Sequence, residues 1–109
     1  MKQIEFIGDS LDALRSFPIA ARQDTGYQLD KVQRGLEPDD WKPMKSIGSG
    51  VKETRVTDEE GQFRVIYIAK LANAVYVLHC FKKKTQKTSL KDIELARSRY
   101  KDLMRSIND

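Results

Sequence analysis

The sequence predicts an α+β domain: one short strand, two helices, three or four antiparallel strands and a long closing helix, in that order. Three observations lead there. Apolar residues alternate, or run unbroken, in "KQIEFIG", "GVKETRVTD", "GQFRVIYIAK" and "VYVLHCFK", as they do in strands. Helical spacing marks "IAARQDTGYQLDKVQR" and the segment from Leu90 to Ile107. The strands are grouped between helices instead of alternating with them one by one. That grouping implies a twisted, antiparallel-rich sheet with its helices packed on one face and the other face partly open.

Each element has a local justification. Ile4 and Phe6 share a face of the first strand, which Gly8 ends. Asp9 or Ser10 caps a short helix over "SLDALRSF", with Leu11 and Leu14 inward. Pro18 suits the first turn of the second helix, where its missing N–H costs nothing, and Gly35 stops that helix. Ile19, Gly26, Leu29, Val32 and Leu36 form its inner stripe, with Gly26 permitting a close approach. Two prolines and two aspartates make "EPDDWKP" a loop, and "MKSIG" follows as a short edge strand. "DEEG" turns the next two strands into a hairpin. "NAV" leads into "VYVLHCFK", apolar on both faces and therefore central in the sheet. Ser89, with Asp92 three residues on, opens the last helix like a capping box. Leu90, Ile93, Ala96, Tyr100, Leu103, Met104 and Ile107 mark its inner face.

The 109 residues make a single domain spanning 1–109, because two independent cores would not fit. No apolar run approaches the ~18 residues of a membrane span, and the first ten residues lack a signal peptide's apolar region. The single cysteine, Cys80, excludes an internal disulfide and suits a reducing compartment. A cytoplasmic protein with no membrane partner is expected. Its net charge of +4 hides an asymmetry. Residues 1–40 hold five Lys/Arg against eight Asp/Glu, a balance of −3, and residues 41–109 hold fifteen against eight, a balance of +7. Charge separated this way can build a basic face that attracts polyanions.

Chemistry is best sought in that basic half. His79 and Cys80 are strand neighbours pointing to opposite faces, so no metal centre is expected, and no glycine-rich phosphate loop implies a cofactor. Arg55 ("ETRVT") and Arg64 ("QFRVI") sit in adjacent hairpin strands. Taken alone they read as cross-strand partners of carboxylates, with Glu53 close by. "HCFKKKTQKTS" adds Lys82, Lys83, Lys84 and Lys87 with no carboxylate among them. Strand alternation puts His79, Phe81 and Lys83 on one face, opposite Leu78, Cys80 and Lys82. Alone, such a run is a solvated loop or an aggregation gatekeeper. Together, two arginines and several lysines on three consecutive strands converge on one sheet face, with Phe81 beside them for base stacking. No recognition helix carries the charge, so the pattern suits RNA better than a DNA groove.

The stretches "GVKETRV", "GQFRVIYIAK", "VYVLHCFKKKTQKT" and "DIELARSRY" resemble the RelE/ParE toxin superfamily, in particular its phage-related HigB-like branch. The likeness covers nearly the whole chain and extends to "FPIAARQ" at the second helix. It implies a RelE-like β-α-α-β-β-β(β)-α fold. It also implies a toxin of a type II toxin–antitoxin module, an endoribonuclease that cuts mRNA on or near the ribosome. The implied partner is a cognate helix-turn-helix antitoxin, HigA-like. Arg64 matches the family's strand arginine at the scissile phosphate, Arg55 a basic position of the preceding strand, and Lys83 a basic residue that stabilises the transition state. Lys82, Lys84, Lys87 and Phe81 then bind RNA. A ribose 2′-hydroxyl attacks the adjacent phosphate, which needs no metal, and His79 or a lysine of depressed pKa serves as base. RelE carries a tyrosine shortly after its basic loop, whereas here "TQKTSLKD" follows the loop and no tyrosine comes after it until Tyr100 in the helix. Two other readings share the fold: a ParE-like inhibitor of DNA gyrase, and an inactive binding relative.

Overall fold

The computed structural model describes residues 1–84 and 86–108. The elements run β1 (Gln3–Phe6), α1 (Ser10–Arg15), α2 (Ile19–Gln33), β2 (Trp41–Pro43), β3 (Val51–Asp58), β4 (Gly61–Ile68), β5 (Ala74–Lys83) and α3 (Leu90–Asn108). They build one five-stranded mixed sheet in the order β1-β5-β4-β3-β2. β1 runs parallel to β5, and the other three pairings are antiparallel. The middle strand is therefore β4, with β5 beside it.

Successive residues of β4 feed different cores. Phe63 and Val65 pack with Leu14, Ala21 and Leu29 from α1 and α2 and with Phe17 between the two helices. Ile66 and Ile68 pack with Ala96 and Leu103 from α3. Neighbouring strand residues point to opposite faces, so the helices cover both faces and not one as the sequence suggested. The physical reason lies in β4 and β5 themselves. They are apolar on both sides, and each side needs a cover.

Two further expectations are corrected. The edge strand is Trp41–Pro43, inside the stretch read as a loop, whereas "MKSIG" forms turns. Pro43 fits because an edge strand leaves its missing N–H facing away from the ladder. In α2 the inward residues are Ala21, Thr25, Gln28, Leu29 and Val32. Ile19, Leu36 and Gly26 are exposed, and nothing approaches Gly26 closely. Gly35 does end the helix, with φ 84°, its own N–H on the Val32 carbonyl and that of Leu36 on Lys31. Along α3, Leu90 and Ile107 are exposed, so the buried stripe is narrower than predicted.

One irregularity shapes the site. Across β4 and β5, Ile66 faces His79 but Tyr67 faces Val77, which leaves Leu78 as an extra residue in β5. Its carbonyl accepts a hydrogen bond from Arg99 of α3 at 2.8 Å, and Arg99 also reaches Asp9 at 2.6 Å. That guanidinium, first through its hydrogen bond, holds the Asp9 carboxyl below its usual range. At Gly48 a Cβ would collide with the Tyr100 ring, so α3 sits against this turn only because glycine occupies it.

Candidate functional site

The hairpin register brings the predicted residues into rows across the α3 side of the sheet. Arg55 lies opposite Arg64, and Arg64 opposite Phe81. One row on, Glu53 lies opposite Ile66, and Ile66 opposite His79. In the other direction Gln62 lies opposite Lys83. Alternation from Ile66 puts Glu53, Arg55, Gln62, Arg64, His79, Phe81 and Lys83 on one face.

Two arginines directly opposite repel each other, and each is matched by an acid. The half-exposed Arg55 holds Asp40, with Nη2 at 2.6 Å from its carboxylate. Arg64 is only 3% exposed and has Glu53 beside it, Nε to Oε1 at 3.3 Å. Its Nη2 donates to Gln62 at 2.9 Å and Nη1 to the Phe63 carbonyl at 3.3 Å. Burial, above all, lowers its pKa, with the Glu53 charge acting the other way. Arg64 is thus a fixed, buried cation and not the open-face group the sequence suggested. Its neighbour Glu53 is fully buried, with the Lys42 ammonium of β2 at 3.9 Å and the Thr88 hydroxyl donating at 2.9 Å.

His79 is held from both sides. Its Nε2 lies 2.7 Å from Asp92 of α3, and its ring stacks on Phe81 with centroids 4.9 Å apart. The second Asp92 oxygen accepts from the Ser89 hydroxyl at 2.6 Å, and Ser89 in turn accepts the Asp92 N–H. The predicted capping box therefore does two jobs, starting α3 and orienting an imidazole. Because the carboxylate stands between serine and histidine, this is not a nucleophile triad.

The lysines divide. Lys83 lies on the Arg64 face of the sheet, and its pKa is lowered first by burial and then by the Arg64 charge. Lys82 faces the other way, with its ammonium 6.0 Å from the Phe63 ring centre. Between the end of β5 and the start of α3 lies a cleft of about 480 Å³, lined by Phe81, Lys82, Lys83, Lys84, Lys87 and Lys91, with Ser89 and Asp92 at its side. Among the described residues, Asp92 is the one carboxylate in that lining. A larger cleft of about 720 Å³, beside Gly35, Lys52 and Tyr67, holds none of the predicted residues. It lies at the far end of the strands from Arg64.

Sequence reasoning missed Lys42, Gln62, Thr88, Lys91 and Asp92 as site residues, and saw Glu53 only as a cross-strand partner. A carboxylate inside the strand segment "VKETRV" was the available signal for Glu53. Lys42 gave none, since its segment read as a loop.

Three buried side-chain atoms, Glu53 Oε1, Arg64 Nε and His79 Nδ1, make no hydrogen bond among the described residues. All three lie in the two adjacent rows. Glu53 Oε1 and Arg64 Nε are nevertheless ion-paired with each other at 3.3 Å, which leaves His79 Nδ1 as the member of the three outside that pair.

Residues 12–101 match the family model described as Phage derived protein Gp49-like (DUF891). None of the curated proteins matches the chain.

Proposed function

From the premise that the chain belongs to the phage-derived Gp49-like family, part of the RelE/ParE-like toxin superfamily, we propose that it is a HigB-like toxin of a type II toxin–antitoxin module. In this reading it cuts mRNA on or near the ribosome by 2′-hydroxyl attack on the adjacent phosphate. The observation that carries the proposal is the convergence of Arg55, Arg64 and Lys83 on one sheet face beside a lysine-lined cleft. Phosphoryl transfer of this kind requires a strand held in line and charge neutralised at phosphorus. The cleft lysines bind the phosphate backbone, and Arg64 and Lys83 face the reacting phosphate. A small helix-turn-helix antitoxin of acidic surface is the partner that +7 over residues 41–109 calls for.

One observation supports a second reading. Arg64 is buried and has a carboxylate beside it, which a purely structural ion pair also explains. A ParE-like gyrase inhibitor or an inactive relative would keep such a pair. Induced expression followed by mapping of mRNA 5′ ends, alongside a gyrase supercoiling assay, separates the readings. Growth arrest with discrete mRNA cuts and unaffected gyrase is expected. Arrest with intact mRNA and inhibited supercoiling would transfer the chain to the gyrase class.

A further inference from the structure

The cleft of about 720 Å³ at the far end of the strands contains two polar groups that the fold leaves incompletely matched. One is the half-buried ammonium of Lys2, which donates to the carbonyls of Ala69 and, at 2.9 Å, Leu71. None of the ion pairs among the described residues includes it. The other is the Tyr67 hydroxyl. Tyr67 is 1% exposed and lines the cleft, and its hydroxyl makes no hydrogen bond among the described residues. Burial first, and then the Glu37 charge, pushes its pKa up, so it stays a neutral donor.

The two groups are neighbours. Ala69, whose carbonyl holds Lys2, comes two residues after Tyr67 and packs with it beside Val32 and Val75 of the α2 side. The sheet therefore stands between this cleft and the row of Arg64 and Lys83. Lys52, Lys70 and Arg34 also line it, against one carboxylate, Glu37. Glu37 is taken by Lys52 at 3.0 Å, and Lys70 donates to the neutral Ser49 hydroxyl at 2.8 Å. A cation drawn partly out of water and met only by carbonyl dipoles attracts an anion more strongly than a solvated one does. Beside these groups the lining is aliphatic, with Val32, Ala69, Ala72 and Leu36, the last 54% exposed.

We infer that this cleft is a second binding site, which takes the carboxylate of an aspartate or glutamate in an aliphatic peptide segment of a partner protein. Lys2 supplies the counter-charge and the Tyr67 hydroxyl a hydrogen bond, while Leu36 and Ala72 meet the neighbouring aliphatic side chains. A nucleic acid fits less well. The one guanidinium in the lining, Arg34, is already held by Asp30, so no free fork awaits a phosphate. Glu37 repels a dianion more than it repels a carboxylate. Tyr67 is the one aromatic residue among the described lining residues, and its burial leaves no ring face for a base. The inference stands apart from the ribonuclease reading and requires no catalysis.

The test selects a random peptide library displayed on phage against the full chain, then measures synthetic copies of the selected peptides by calorimetry. The consensus should place Asp or Glu beside Leu, Ile or Val. Changing that acid to its amide should weaken binding by about tenfold or more, the worth of a hydrogen bond to a charged group. Tyr67→Phe and Lys2→Met should each weaken it by a similar factor, and Lys83→Gln should leave it unchanged. Tyr67→Phe should melt at the wild-type temperature, because its hydroxyl has no partner to lose, and it keeps the test valid if Lys2→Met fails to fold. Inorganic phosphate and single-stranded RNA should not compete with the peptide. A consensus without an acid, or wild-type affinity in folded Tyr67→Phe, overturns the site. A lowered melting temperature in Tyr67→Phe also overturns it, since the hydroxyl would then serve the fold. Competition by phosphate or RNA, or loss of peptide binding in Lys83→Gln, would replace the peptide with a polyanion or move it to the lysine-lined cleft.

Discussion

The α3 side of the sheet has two halves that use the same strands differently. Towards the C-terminal end of β4, Ile66 and Ile68 lie with Leu78, Ala96 and Leu103 in a dry core. Towards its N-terminal end, Gln62 and Arg64 lie with Glu53 and Lys83. The changeover takes place within a single step, from Ile66 to Arg64. It coincides with the start of α3, where Ser89 and Asp92 meet His79. A buried charge survives only with a counter-charge, and each half accordingly depends on different physics. The apolar half depends on volume, and the charged half on pairing.

The largest expected effects test that division directly. Leu78→Ala removes a fully buried side chain and should cost about 2–5 kcal/mol. Arg64→Ala leaves Glu53 buried without its nearest cation, although Lys42 remains 3.9 Å away, and should cost a comparable amount, about 3–5 kcal/mol. Urea denaturation compares the two. In conditions where both are folded, only Arg64→Ala should lose mRNA cleavage, by about 10²–10³-fold, the effect of deleting one preorganised donor. Equal loss in the two variants would mean that general destabilisation, and not the charged half, controls activity.

What could be read in advance follows the same line. The hairpin, the interior β5 strand and the α3 capping box were legible, because alternation, a turn signal and Ser89 with Asp92 are local patterns. Which face each helix covers was not, since apolar residues on both sides of β4 and β5 permit either answer. Nor was the edge strand at Trp41–Pro43, whose pairing with β3 is set by a distant partner and not by its own residues. For the site, the convergence of Arg55, Arg64 and Lys83 followed from strand adjacency and period two. The burial of Arg64 did not, because it depends on Glu53, Gln62 and Thr88 coming from three separate segments.

A middle-sized effect tests the seam between the halves. Ser89→Ala deletes the side chain that accepts the Asp92 N–H at the first turn of α3, and helix caps are worth about 1 kcal/mol. The same change removes the hydrogen bond that orients Asp92 towards His79. Thermal melting should fall modestly, and the His79 ring resonances in an NMR spectrum should shift. A lowered melting point with unmoved His79 resonances would show that the cap serves the helix alone.

The smallest effect on stability is expected at Lys83, where the sign is informative. Its pKa is lowered by burial and by repulsion from Arg64, with Lys42 and Arg55 acting in the same direction and Glu53 against them. A lysine whose pKa falls on folding carries its charge at a cost below that folded pKa. The cost is relieved as pH rises towards the ordinary lysine value of about 10.4, so stability gains with pH across that window. Lys83→Gln should therefore melt at or slightly above the wild-type temperature at neutral pH, and the difference should close in alkaline buffer. Its binding to single-stranded RNA should weaken, with the slope of log affinity against log salt shallower by about 0.7, because one phosphate is no longer neutralised. A cation kept at some expense to the fold, and useful to an arriving polyanion, would behave in this way. Lower melting at neutral pH with an unchanged salt slope would make Lys83 a counter-ion for Glu53 instead, and the charged half a device for holding the hairpin together.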